Sequence, residues 1–175
     1  MSFWNRLTGR EGRDALRPLW HAAVGTSREA EWYANCGVAD TVEGRFDMIS
    51  LVLSLVMLRM EKSGELAPKT ALLTELFVQD MDRQLRDTGV GDLMVGKNMG
   101  KLMSALGGRM GSLRENMTES DAKLAEVLAR NMTLADEEAK PFALAVRTRA
   151  LANDLAAVDD AELLEGTLRP SGIRA

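Results

Sequence analysis

The sequence predicts an all-α fold: a single compact helical domain of about six or seven helices with a central apolar helix. Three observations carry that expectation. Helix-start and helix-stop residues recur along the whole chain, and only four prolines interrupt its 175 residues. No segment of useful length alternates apolar and polar side chains, as a half-buried strand would. The longest apolar run, 48–58, is interrupted by Ser50 and Ser54 and closed by Arg59. A membrane-spanning helix needs about 20 apolar residues, so this run reads as a buried helix.

Residues 1–12 are expected to be a flexible N-terminal segment, 13–166 the helical domain and 167–175 a frayed tail. A first helix is predicted over 14–24, with Leu16, Leu19, Trp20 and Ala23 on one face. Ser27 suits the cap of a short second helix carrying Trp32 and Tyr33, and Gly37 stands where a left-handed terminator belongs. Asp40 followed by Glu43 has capping-box spacing and opens the central helix, which should end at Gly64. A fourth helix over 69–87 carries an inner stripe of Leu73, Leu76, Phe77, Met81 and Leu85, with Asp82 and Arg86 paired outside. After Gly89-Val90-Gly91, Asp92 is expected to cap a fifth helix reaching 116. Two more follow, one after Thr118 or Ser120 and one over 141–157, where Pro141 suits the first turn.

The fifth helix is the most unusual. At about 100° per residue, Gly96, Gly100, Gly107 and Gly111 fall within a stripe roughly 60° wide. Met99, Met103, Met110 and Met117 border it, and Leu102, Leu106 and Leu113 lie beyond. Each mid-helix glycine costs about 0.5–1 kcal/mol relative to alanine, so something should approach that face. An internal neighbouring helix is the common occupant of such a face. The alternative is a groove for the apolar helix of another protein, because flexible methionines accommodate imperfectly matched partners. On that alternative the surface comprises Met99, Met103, Met110, Gly100, Gly107 and Leu106.

Composition excludes several functions. A net charge of −4 and scattered basic residues argue against nonspecific DNA binding, which requires a basic surface. Cys36 is the sole cysteine and His21 the sole histidine, which cannot supply the usual zinc ligand sets. Cys36 reads as a buried or inert thiol and His21 as a core-edge residue. No Walker loop or strand-linked GxGxxG motif is present. Enzyme activity has no visible carrier, and no cofactor is expected. The N-terminus shows neither a secretory signal nor an evident transit peptide. Phe3, Trp4 and Leu7 with Arg6 and Arg10 leave open a peripheral membrane interaction or scaffold module.

Two polar clusters remain, each explicable as helix end, turn and helix start. The first combines Tyr33, Gly37, Val38, Asp40, Thr41, Gly44, Arg45, Phe46 and Asp47. The second combines Met81, Asp82, Leu85, Arg86, Gly89, Val90, Gly91, Asp92, Leu93 and Lys97. In this order and spacing they resemble the ubiquinol–cytochrome c chaperone family, well over 28–111 and more loosely beyond.

The resemblance implies a helical, non-enzymatic assembly factor that receives newly synthesised cytochrome b for the ubiquinol–cytochrome c reductase complex. In mitochondrial members it also implies a small partner subunit and a ribosome contact. For this chain it implies a cytoplasmic setting at the inner face of a bacterial inner membrane. The sequence departs from the family pattern in places. Ala39 stands where proline is common, Ser50-Leu51 lacks a frequent histidine, and Asn98 and Gly100 replace commonly basic positions. Leu106-Gly107-Gly108 replaces an aromatic-rich segment. The lost positive charge weakens the expected ribosome contact, and the lost aromatics alter the shape of the presumed client surface.

Overall fold

The computed structural model describes residues 11–87, 89, 91–135 and 140–170. Among them are eight α-helices: α1 (Arg17–Ser27), α2 (Ala30–Ala34), α3 (Val42–Glu61), α4 (Thr70–Asp87), α5 (Asp92–Asn116), α6 (Asp121–Asn131), α7 (Pro141–Ala157) and α8 (Asp160–Leu164). A 3-10 turn, Ala67–Lys69, leads into α4. No strand occurs among the described residues. A single antiparallel bridge joins Val38 to Leu134.

The central apolar helix is α3. Every residue from 48 to 57 is buried, and α1, α4, α5 and α7 all pack on it. Ser50 and Ser54 are tolerated inside because Ser50 Oγ donates to the Asp47 carbonyl and Ser54 Oγ to the Ser50 carbonyl. Trp20 of α1 meets Phe77 of α4 edge-to-face at 6.1 Å, closing one side of the core. Leu73, Leu76, Phe77 and Met81 form the buried stripe of α4 as expected, whereas Leu85 is only half-buried.

Several helix boundaries differ from expectation for identifiable reasons. Residues 11–15 are helical, but a turn at Leu16 precedes Pro18, which has no N–H to donate, and α1 continues to Ser27. Ser27 therefore ends α1 rather than capping α2; its hydroxyl donates to the Val24 carbonyl. The carbonyls of Thr26 and Ser27 are satisfied by Trp32 Nε1 at 2.7 Å and Tyr33 Oη at 2.9 Å. Gly37 does take the left-handed conformation, with φ of 69°.

The cap of α3 is Thr41, not Asp40. Thr41 is extended and its hydroxyl accepts from the Gly44 N–H at 3.1 Å, while Asp40 turns to Arg45 at 2.7 Å. Asp92 likewise does not cap α5: Gly91 occupies the cap position and Asp92 lies in the first turn, paired with Arg86.

The end of the domain also departs from a frayed tail at 167. Leu168 is buried, and Arg169 Nη1 lies 2.7 Å from Glu29, so 167–170 are tied to the link between α1 and α2. The proposed membrane contacts of Phe3, Trp4, Arg6, Leu7 and Arg10 lie outside the described residues.

Candidate functional site

α5 presents two different faces. Its inner face buries Val95, Leu106, Arg109 and Leu113 against α3, α4 and α6. Met99, Leu102, Met103, Met110 and Met117 are half-buried along its flank and pack on the core. The glycine stripe faces outward. A Cβ built at Gly96, Gly100, Gly107 or Gly111 would meet no described atom within 4 Å. No described residue therefore supplies the internal neighbour expected on the glycine stripe, whereas its methionine border does pack on the core, as an internal role requires.

The six residues expected to line a client surface therefore separate. Gly100 and Gly107 are exposed, Met99, Met103 and Met110 border them half-buried, and Leu106 belongs to the core with 3% exposure. Leu106 fails as a surface residue because it points about 100° away from Gly107, one residue on. The outer surface instead includes Leu93, 89% exposed, and Met94, 48% exposed.

The first polar cluster is a joint between α3 and the loops on either side. Gly44 is required there by close approach: a Cβ would lie 1.9 Å from the Ala39 carbonyl oxygen. Val38 is buried and pairs with Leu134, and the Ala39 N–H donates to Thr133 at 3.0 Å. The Arg45 hydrogen bond holds the Asp40 carboxyl below its ordinary range. Phe46 packs half-buried on the core.

The second cluster is a helix hinge. Met81 is fully buried, and Gly89 has φ of 80°, in the region glycine favours. Arg86 reaches back to Asp82 at 2.8 Å and forward to Asp92, linking the end of α4 to the start of α5. The hydrogen bonds that Arg86 donates to Asp82 and Asp92 push its guanidinium upward in pKa. Lys97 is exposed on α5. Val90 lies outside the described residues.

One buried polar residue that organises this region was not anticipated from the sequence. Arg109, 4% exposed, donates to Asp47 at 2.8 Å, to Ser50 Oγ and to the Asn131 carbonyl. Asp47 in turn accepts from the Thr133 N–H at 2.8 Å and its hydroxyl at 2.7 Å. This hub joins α3, α5, α6 and the 132–135 segment. Its signal was present: Arg109 falls on the same helical side as Leu102 and Leu113, where a charge needs a buried partner.

Other chemistry-bearing groups lie elsewhere. His21 is exposed in a polar cleft of about 800 Å³ between α1 and α4, lined also by Arg17, Trp20, Arg28 and Arg83. A smaller, more apolar cleft of about 440 Å³ is floored by Leu55, Leu58, Met117 and Ala152. Cys36 is buried, which pushes its thiol pKa up. No group of three or more His, Cys, Asp or Glu among the described residues is placed to hold a metal ion. No described helix is long and apolar enough to cross a membrane.

A crystal structure of a Cbp3 homolog from Brucella abortus matches this fold with a TM-score of 0.74 at 27% identity. The match covers 93% of this chain and 92% of that one. No curated protein matches the chain in sequence. The family model described as ubiquinol-cytochrome C chaperone matches residues 34–170, a span that contains both polar clusters apart from Tyr33, the Arg109 hub and all of α5. The chain therefore belongs to the ubiquinol–cytochrome c chaperone family.

Proposed function

We propose that this chaperone holds newly synthesised cytochrome b by covering an apolar helix along the outer face of α5. The observation that carries the reading is the unoccupied glycine stripe, bordered by Met99, Met103 and Met110. Mid-helix glycines that meet no described side chain add no packing there, and they allow a second helix backbone to come close. The adjoining thioethers adapt to irregular apolar shapes.

The mode of action is binding and release, without turnover. Covering about 400 Å² of apolar surface contributes about 10 kcal/mol gross. The loss of rigid-body freedom on association, about 4–15 kcal/mol, offsets much of that. A holdase with this balance protects its client and still lets it go. The reading extends to the setting the resemblance implies, the cytoplasmic face of an inner membrane. A small partner subunit and a ribosome contact remain expectations of the resemblance, with no residue of this chain assigned to them.

Site-specific photo-crosslinking in cells translating cytochrome b tests this. Probes at Met99 and Met103 should capture cytochrome b, and a probe at exposed Glu162 on α8 should not. Capture from Glu162 with none from α5, or capture from neither, rejects the proposed surface.

A further inference from the structure

A different property of α5 lies beside the glycine stripe. From 93 to 114 the sequence contains no Asp or Glu, although the chain as a whole is acidic, with net charge −4. Its basic residues there are Lys97, Lys101, Arg109 and Arg114. Arg109 is engaged internally by Asp47, and Arg114 pairs with Glu61 at 2.8 Å. Lys97 and Lys101 are both exposed, and neither pairs with any described residue.

These two lysines share an edge with the most exposed apolar residues of α5. At 100° per residue, Leu93, Lys97, Lys101 and Met94 follow one another over about 100° of the helix. The glycine stripe adjoins this edge on the Leu93 side. Leu93 and Met94 in the first turn are 89% and 48% exposed, so they gain from any apolar cover.

We propose that this edge of α5 docks on an anionic phospholipid surface. Leu93 and Met94 enter the boundary between headgroups and acyl chains, while the ammonium groups of Lys97 and Lys101 reach lipid phosphates. A bilayer suits the edge better than an acidic protein does. Neither the cleft between α1 and α4 nor the one beside Met117 includes a residue of this edge. A fluid surface needs no shape complementarity. The acid-free stretch matters because the remainder of this acidic chain is repelled by an anionic surface. Docking in this orientation would lay the glycine stripe along the bilayer. The inference does not rest on cytochrome b being the client.

The test is co-flotation of the purified full chain with phosphatidylcholine vesicles, with and without phosphatidylglycerol, at low and high salt. Binding should require phosphatidylglycerol and weaken as salt shortens the screening length. Each lysine near such a surface contributes about fivefold to affinity, so K97E/K101E should weaken binding by more than about 25-fold. L93S/M94S should also lose binding, with the helical content of both variants intact. A control with the same charge change elsewhere, K62E/K123E, should bind better than K97E/K101E. Three results overturn the proposal: no flotation of the wild-type chain, equal loss in the control, or retained flotation in both α5 variants. In the last case removal of 1–10 would reveal whether the N-terminal segment binds instead. Client crosslinking at Met99 and Met103 is read separately, so failure of either idea leaves the other standing.

Discussion

Replacing Asp47 with alanine should be among the most destabilising single changes in this chain that leave the hydrophobic core untouched. The variant would strand the Arg109 guanidinium, which is 4% exposed, beside a carboxylate position that is 21% exposed. Removing one member of a buried ion pair costs about 3–5 kcal/mol. Two features move the expectation to the low end: Arg109 retains Ser50 and the Asn131 carbonyl, and the Asp47 site is partly wet. The two hydrogen bonds from Thr133 are also lost, but Thr133 is exposed and water replaces them. The expected cost of Asp47→Ala is about 3 kcal/mol, or roughly 6–12 °C in Tm for a chain of this size.

Arg109→Met should cost less, about 1–2 kcal/mol, because it removes the buried charge and leaves Asp47 with Thr133 and solvent. Chemical denaturation of both single variants and the double variant gives the coupling. The double variant should be more stable than the sum predicts by at least about 1 kcal/mol. A cost below about 1 kcal/mol for Asp47→Ala, or additivity within about 0.5 kcal/mol, would refute the hub as an energetic unit.

Three further expectations follow from the same geometry. Gly44→Ala forces a Cβ to within 1.9 Å of the Ala39 carbonyl oxygen, a backbone atom that cannot rotate away, and should cost at least about 3 kcal/mol or prevent folding, as seen in thermal melts. Gly100→Ala and Gly107→Ala meet no described atom, so each should raise stability by about 0.5–1 kcal/mol while reducing client capture; unchanged capture by the double variant would remove the glycine stripe from the client surface. Burial raises the Glu29 pKa, but hydrogen bonds and charge from Arg169 and then Arg147 prevail and hold it below 4.5. A lowered folded pKa means that its stabilisation is complete above 4.5 and is lost as pH falls through the lower folded value. Release of the 167–170 segment on acidification should therefore be detected by limited proteolysis, and Glu29→Gln should release it at neutral pH.

The parts of the fold legible in the sequence were those set by apolar period. The α3 run and the α4 stripe of Leu73, Leu76, Phe77 and Met81 depend only on which side chains face inward. Caps were less legible because they depend on backbone geometry. Asp40 and Thr41 both have cap chemistry, and the choice was made by Arg45, one turn on, which draws Asp40 away. Asp92 was likewise drawn to Arg86. The direction of the glycine stripe was not legible either. Gly, Met and Leu occupy successive sectors of α5, and a helix with leucine on one side and glycine on the next can bury either. Deciding between them required Arg109, whose partners on α3 and α6 fix the rotation of α5.

The Arg109 hub and the glycine stripe are two sides of one arrangement. Arg109 sits among Gly107, Gly108 and Gly111, where α5 has its poorest helix formers. Those three glycines together cost about 1.5–3 kcal/mol relative to alanine. The hub, worth about 3 kcal/mol by the estimate for Asp47→Ala, acts at the same turns and from the opposite face. A helix that must stay open on its outer side can carry glycine there only if its inner side is fastened within the same turns, and leucine packing alone fastens without fixing rotation. Weakening the hub should accordingly loosen α5 first at 107–111 and leave the leucine-anchored turn at Leu113 less affected. Amide exchange of Arg109→Met, resolved along α5, would show that order or contradict it.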